Sequence, residues 1–334
     1  MTSDLVMSVT ESSGVAQARR AAADLAMKLG FGETEAGKLA LVVTELGTNL
    51  AKHAKAGRIV LRQVNGGTNH GVDVLALDEG PGIANVAECL RDGYSTSGSP
   101  GSGLGAIQRQ ADEFDIHSVR DVGTAILARL WAAPSRSPKT GLYEVGTLCV
   151  PKAGETVCGD GWIAIEQPTR LLLLLADGLG HGPSAAEAAW AAVDIARDHA
   201  TLSLTDLMHA VHPALRATRG AAVALAAIDH RKPVVDFVGM GNIAGRILSP
   251  QGDRSVVSLP GTVGIDMRKV TPFAYPWSND SLLVLHSDGL TTRWGLARYP
   301  GLALRHPCLI AGVLFRDHSR GYDDVTILVV RKRT

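Results

Sequence analysis

The sequence predicts an α+β protein of two domains in series. A helix-on-sheet sandwich is expected over residues 1–133, a linker over 134–141, and a domain of two packed sheets flanked by helices over 142–334. Three observations carry this expectation. An apolar strand ends in Asp78 and runs straight into glycines, LALDEGPGI, and a second glycine-rich run, STSGSPGSGLGAI, opens into a helical stretch. The stretch APSRSPKTG is rich in Pro and Ser and lacks an apolar period, which marks a boundary. Beyond it, acids stand at strand ends or turns: Asp160 in CGDGW, Asp177 in LADGLGHG, Asp288 in HSDGL and the Asp323–Asp324 pair in YDDVT.

The elements follow in order. Ser12 and Ser13 are candidate caps for a helix over 14–29, which Gly30 closes. Thr34 is placed to cap a second helix over 35–53. Strands are expected at 58–64 and 71–77 across the turn-rich NGGTNHG, then a short helix at 85–90, a helix from Leu104, and strands at 115–120 and 124–131. Helices then cover one face of a mixed sheet. The second half begins with strands at 142–150 and 162–166 and the apolar run LLLLLA at 171–176. Helices are expected over 184–200 and 205–217, and strands at 221–228, 234–240, 244–248, 282–286 and 325–331.

Composition narrows the function. The chain has 334 residues, 46% of them hydrophobic, enough for two packed cores. Lys plus Arg equals Asp plus Glu at 33 each, so neither a nucleic-acid nor a membrane surface is expected. Cys89, Cys149, Cys158 and Cys308 have no metal-like spacing and read as small buried hydrophobes. No signal peptide opens the sequence and LLLLLA is far too short to span a bilayer, so a cytoplasmic location is expected.

In the first half, Glu45, Asn49 and His53 are spaced by four and share a helix face. Asn49 offers a neutral oxygen suited to Mg²⁺, Glu45 can take a proton from an attacking hydroxyl, and Lys52 can offset phosphate charge. Asp78 at a strand end can accept from the exocyclic amine of adenine. Gly80 and Gly82 let backbone approach a flat ring, and Gly98, Gly101, Gly103 and Gly105 around Leu104 can cradle phosphates near a helix start. The order ExxxN, DxGxG, GxGLG over about residues 5–132 resembles the GHKL ATPase superfamily, and within it the RsbT-like and RsbW-like anti-sigma-factor serine kinases. The resemblance implies ATP as cofactor and a role for Thr124 in binding the adenine.

In the second half, aspartates at the ends of several strands can converge on hard divalent cations, and a two-metal site can make a hydroxide for in-line attack on a phosphate. The ordered series GD, ADGLGHG, RGAAVALA, GMGN, HSDGL, DDVT resembles the PPM-type (type 2C) phosphatases of the SpoIIE-like and RsbX-like branch, with their α-β-β-α sandwich. The resemblance implies Asp160, Asp177, Asp288 and Asp323 as ligands of Mg²⁺ or Mn²⁺, with Gly178 giving its carbonyl, Asp324 as the alternative to Asp323, and His181 supporting the loop. No phosphate-binding arginine stands out.

Together the two resemblances imply a serine kinase fused to a phosphatase, acting on a serine or threonine of a STAS-domain protein in a partner-switching system. The alternative is a phosphatase whose first half senses nucleotide or captures a partner without phosphotransfer. No sensor or receiver segment is present in the sequence, so input is expected from an upstream sensor or co-regulator that binds. The oligomeric state has no signature.

Overall fold

The consecutive strands β2 (Arg58–Gly66) and β3 (Asn69–Leu77) pair antiparallel, as do β4 (Glu113–Val119) and β5 (Gly123–Trp131) across a tight turn at 120–122. With β1 (Leu5–Ser8) they form a five-stranded sheet in the order β1-β2-β3-β5-β4. Every pair in it is antiparallel, so the sheet expected to be mixed is not. Two long helices, α1 (Ser12–Lys28) and α2 (Glu33–His53), and two short ones, α3 (Val86–Cys89) and α4 (Leu104–Gln110), complete this part. The computed structural model describes residues 3–67, 69–91, 103–133 and 141–333. Gly98, Gly101 and linker positions 134–140 lie outside the described residues.

The observed caps lie one residue before Ser12 and two residues before Thr34. Glu11 is the N-cap of α1 and Gly32 that of α2, neither with a side-chain cap bond, and Ser12 and Thr34 fall inside the helices. Glu33 and Glu35 in the first turn of α2 complement its dipole instead. Gly30, at φ +73°, ends α1 as expected. Ala18, Ala22 and Ala26 of α1 and Leu39, Val42, Leu46 and Leu50 of α2 pack on Leu61, Val72, Val74 and Ile126 of the sheet. Alternation puts Asp73, Leu75 and Leu77 of β3 on the opposite face, yet they too are buried.

The second half begins with β6 (Tyr143–Val150), β7 (Asp160–Glu166), β8 (Arg170–Gly178), α5 (Pro183–Asp198), α6 (Leu204–Ala214) and β9 (Ala221–Asp229). It continues through β10 (Val234–Met240), β11 (Ala244–Leu248), β12 (Arg254–Ser255), β13 (Ser258–Leu259), β14 (Phe273–Pro276), β15 (Leu282–His286), α7 (Pro307–His318) and β16 (Val325–Lys332). One sheet runs β13-β10-β9-β8-β7 with β14 on β10, and the other runs β12-β11-β15-β16-β6. The leucine run of β8 is buried on both faces. Leu172 and Leu174 pack under α5 and α6, while Leu171, Leu173 and Leu175 meet Leu283, Leu285, Leu328 and Val330 of the other sheet.

The chain divides into two compact units, and the division is not a single cut. The first unit comprises residues 4–140 and 295–316, the second residues 1–3, 141–294 and 317–334. The segment 295–316, with most of α7, is the cover for the second face of the first unit's sheet. A Cβ built on Gly312 would lie 3.0 Å from Leu77 and 3.3 Å from Leu75. The Arg58 guanidinium lies over the Phe315 ring, His306 N–H donates to Asp115 at 2.7 Å, and Cys308 Sγ lies 3.3 Å from Arg62.

Candidate functional sites

On α2 the Thr44 and Thr48 hydroxyls donate back to the carbonyls of Ala40 and Thr44, both at 2.7 Å, which satisfies the helix's inner polar groups. Glu45, Asn49 and His53, one turn apart, line a cavity of about 520 Å³ together with Lys52. Asp78, Gly82, Gly103, Leu104 and Thr124 line the same cavity from the other elements. Gly105 is buried one residue further into α4, and Gly80 acts from behind. The Gly80 N–H donates to Asp78 Oδ1 at 2.7 Å, and a Cβ there would sit 3.2 Å from the His53 carbonyl. Gly82 takes φ +71° against Val119, whose carbonyl oxygen a Cβ would meet at 2.3 Å.

Asp78 is half-buried. Burial pushes its carboxyl above the usual carboxylate range, against the amides of Gly80 and Thr124 and the charge of Arg316. Its backbone N–H donates to the Thr124 carbonyl at 3.0 Å, tying the ends of β3 and β5. Ser118, not singled out from the sequence, joins this set: its Oγ lies 2.9 Å from Thr124 Oγ1 and accepts from the Ile83 N–H at 2.7 Å. Strand pairing places Ser118 directly opposite Thr124, a register the sequence alone does not give. The cavity thus joins a half-buried carboxylate and hydroxyl at one end to a carboxylate, an amide and an ammonium on one helix face.

In the second unit, the β7–β8 register sets Asp160 directly opposite Asp177. Like charges facing each other across strands are unfavourable. Asp160 is 2% exposed, its Oδ2 accepts from Ser287 Oγ at 2.7 Å, and its Oδ1 is buried without a hydrogen-bond partner. Burial pushes both carboxyls well above the usual range, reinforced at Asp160 by Asp324 and Asp288 and at Asp177 by Asp160, Asp288 and Asp323. Asp288 is raised by burial and by Asp323; Arg320 opposes this, and Asn242 donates to Oδ2 at 2.7 Å.

The adjacent acids Asp323 and Asp324 both face this cluster. Asp324 is buried and Oδ1 accepts from the Lys152 N–H at 2.8 Å, fixing the loop before β7. The charge of Asp323 acts on Asp177 and Asp288, that of Asp324 on Asp160 and Asp177, and Asp324 Oδ2 is itself buried without a hydrogen-bond partner. Gly178 packs against α5, where a Cβ would lie 2.0 Å from the Ala185 carbonyl oxygen. His181 pairs with Glu155 at 2.7 Å on the neighbouring loop. Among the described residues no three acids already close on one point as a finished metal cage. An orphaned buried oxygen and facing carboxylates nevertheless form a donor set that a hard divalent cation satisfies. Asn242 and Ser287 lie in the motifs GMGN and HSDGL, but their duties depend on which strand ends meet. Two arginines border the loops: Arg320 by its charge on Asp288, and Arg219, whose Nη1 would lie 3.0 Å from a Cβ on Gly180.

Comparison with known proteins follows the same division. A histidine kinase-like ATPase domain model matches residues 9–130, and the stage II sporulation protein E (SpoIIE) model matches residues 167–333, half of the chain. The chain is 36% identical over 117 residues to serine/threonine-protein kinase RsbT of Bacillus subtilis (strain 168), covering 35% of this chain and 88% of RsbT. It is 26% identical over 141 residues to phosphoserine phosphatase RsbX of the same organism, covering 42% of this chain and 70% of RsbX. A solved chain reported under the heading of the bacterial stressosome, "a modular system that has been adapted to control secondary messenger signaling", matches with TM-score 0.53 at 29% identity, over 57% of this chain and 99% of that one. RsbX crystallised with magnesium matches in fold, with TM-score 0.52 at 21% identity over 57% and 96%. No helix among the described residues is long and apolar enough to cross a membrane.

Proposed function

This chain belongs to the SpoIIE family through its second half and to the RsbT-like histidine kinase-like ATPase domains through its first, and from that premise we propose that it is a cytoplasmic partner-switching regulator that both phosphorylates and dephosphorylates a serine or threonine of a STAS-domain protein. The observation that supports this reading is that one chain carries both sets: Glu45, Asn49 and Asp78 line one cavity, and Asp160, with an unpartnered buried oxygen, faces Asp177 across two strands within the field of Asp288.

In the first unit, Asp78 accepts from the adenine amine while the amides of Gly80 and Thr124 hold its carboxylate. Asn49 would hold Mg²⁺, which supplies charge neutralisation at the phosphates, and Lys52 adds to it. Glu45 takes the proton of the incoming serine hydroxyl as its oxygen bonds to the transferred phosphoryl group and ADP leaves. A groove of about 690 Å³ between α1 and α2, with Arg19, Arg20 and Lys52 on it, shares Thr48 and Lys52 with the nucleotide cavity and offers a protein substrate a seat beside it.

In the second unit, Asp160, Asp177, Asp288 and Asp323, with the Gly178 carbonyl, would hold Mg²⁺ or Mn²⁺, which supplies a Lewis acid that makes hydroxide at neutral pH. Ser287 orients Asp160 and Asn242 orients Asp288, as supporting hydrogen bonds do at metal centres. The His181–Glu155 pair steadies the GLGHG loop.

The alternative, a phosphatase whose first unit only senses nucleotide or captures a partner, also finds support in the α1–α2 groove. One experiment separates the two. Candidate STAS proteins are mixed with the chain, ATP and Mg²⁺ or Mn²⁺, and their mass is followed. The bifunctional reading expects one phosphoryl group added, none added by Glu45→Ala, and its removal once ATP is withdrawn. Removal without addition would leave the sensing reading, and neither event would sink both.

A further inference from the structure

The segment 295–316 belongs to the first unit, although in the chain it lies between Asp288 and Asp323. Its last residue, Arg316, is 7% exposed. Arg316 Nη1 donates to the Asp78 carbonyl at 2.7 Å and reaches the Thr124 carbonyl at 3.4 Å. Those carbonyls belong to the two residues whose side chains close the adenine end of the cavity. The fit leaves no slack: a Cβ on Gly123 would stand 2.0 Å from the Asp78 carbonyl oxygen and 2.8 Å from Arg316 Nη1.

Directly after Arg316, residues 318–320 hydrogen-bond to residues 289–291, which follow Asp288. The Thr291 N–H donates to the His318 carbonyl at 3.0 Å, Leu290 forms a bridge with Ser319, and the Arg320 N–H donates to the Gly289 carbonyl at 2.8 Å. Three residues therefore separate Arg316, whose guanidinium holds the Asp78 carbonyl, from Arg320, whose amide holds the glycine following Asp288.

We infer that Arg316 is a positioning residue of the nucleotide site, contributed by the phosphatase half of the sequence, and that through it nucleotide occupancy biases the loop bearing Asp288. The inference rests on reading the first cavity as an ATP site and the acids as a metal site. Adenine bound to the Asp78 carboxylate loads the same residue whose carbonyl anchors Arg316. A helix is a stiff lever, so a displacement at Arg316 moves the residues that follow it rather than dissipating locally. Coupling is reciprocal: metal in the second unit changes ATP affinity by the same factor.

The test uses the full chain. Calorimetry measures ATP·Mg²⁺ affinity, and turnover of para-nitrophenyl phosphate with Mn²⁺ is measured with and without a non-hydrolysable ATP analogue. Arg316→Ala is expected to weaken ATP by roughly 10-fold or more, as for losing a charged hydrogen-bond donor, with part restored in Arg316→Lys. Arg305→Ala, on the same segment but paired with Asp115, serves as control and keeps wild-type affinity. The analogue is expected to change wild-type turnover and leave Arg316→Ala turnover unmoved, a difference that loss of packing alone does not produce. Wild-type ATP affinity in both Arg316 variants, or wild-type turnover indifferent to saturating analogue, overturns the inference. Failure of the underlying reading looks different: the wild-type chain itself then binds no ATP or shows no metal-dependent turnover.

Discussion

Asp73, in the middle of β3, is fully buried and receives Arg62 Nη2 at 2.7 Å, Arg129 Nε at 2.6 Å and Arg129 Nη2 at 3.0 Å. Asp160, at the start of β7, is nearly as buried and receives one serine hydroxyl, while Asp177 faces it. Burial alone raises all three carboxyls. At Asp73 the charges of Arg129 and Arg62 outweigh it and hold the group far below the usual range, whereas at Asp160 and Asp177 the neighbouring acids add to it. One region carries its counter-charge in its own sequence. The other sets acid against acid, which is the difference between a buried ion pair that holds a fold and the cation site proposed above.

The largest effect that would break this contrast is on turnover. Asp177→Ala or Asp288→Ala should lower metal-dependent hydrolysis of para-nitrophenyl phosphate by ~10³-fold or more, the weight of several kcal/mol of metal activation, with the circular dichroism spectrum unchanged. Retained activity, or wild-type activity undiminished by excess EDTA, would remove the cation from the second unit. Asp73→Ala should instead cost stability, about 3–5 kcal/mol in denaturant unfolding, because Arg62 and Arg129 stay buried without their anion. A loss under 1 kcal/mol would mean that water replaces the carboxylate and that the pair is less enclosed than its geometry implies.

A smaller effect of opposite sign sharpens the comparison. In metal-free protein at a pH above the raised range, where both carboxyls are ionised, Asp160→Asn removes one of two facing charges and should raise stability by up to about 1 kcal/mol, while in saturating Mg²⁺ the same change should be unfavourable. Destabilisation in both conditions would show the two acids are not in conflict. The smallest effect is on pH. Asp73 has a depressed pKa, so its contribution is complete above the unfolded value of about 4 and is lost only as pH falls through the lower folded value. Asp160 and Asp177 have raised values, so the unfolded chain gives up its protons first and metal-free stability falls as pH rises from about 4 through the raised range. Hydrogen exchange should therefore show β7 and β8 opening more readily at pH 8 than at pH 6 without metal, with no such trend in β3. Equal trends in both sheets would count against the contrast.

What the sequence revealed depended on contiguity. Glu45, Asn49 and His53 are fixed relative to one another by a single helix, and Asp78 with its glycines by one strand end, so that cavity could be read directly. The acids of the second unit were readable as a set because each sits in its own short turn motif. Asp323 and Asp324 are adjacent in one turn, and the sequence shows neither that Asp324 accepts from the Lys152 N–H nor that both charges act on Asp177. Helix α7 escaped because PCLIAGVLFRDH is apolar on every side, and a helix buried all round has no amphipathic period to find. Its binding face left a trace: the run VDVLAL in β3 does not alternate, which is the pattern of a strand covered on both sides. Nothing local names what covers it. The Arg62–Asp73–Arg129 cluster was equally silent, since three charges in apolar strands acquire meaning only once the strands pair. Three of the four cysteines are buried as expected, and Cys89 is only partly so.

The contact between Arg62 and Cys308 spans 246 residues and that between Asp78 and Arg316 spans 238. The unit that is translated first is thus completed almost last. At roughly 5–20 residues per second, the nascent sheet waits on the order of tens of seconds at the ribosome with Leu75 and Leu77 uncovered. A chain cut short by a damaged message or a stalled ribosome before residue 316 never receives that cover. A fragment that holds residues 9–130 but stops short of residue 316 is left with an unfinished hydrophobic face, the kind of surface that chaperones and proteases recognise. Truncation anywhere before residue 316 therefore leaves the first unit short of a part of its own core.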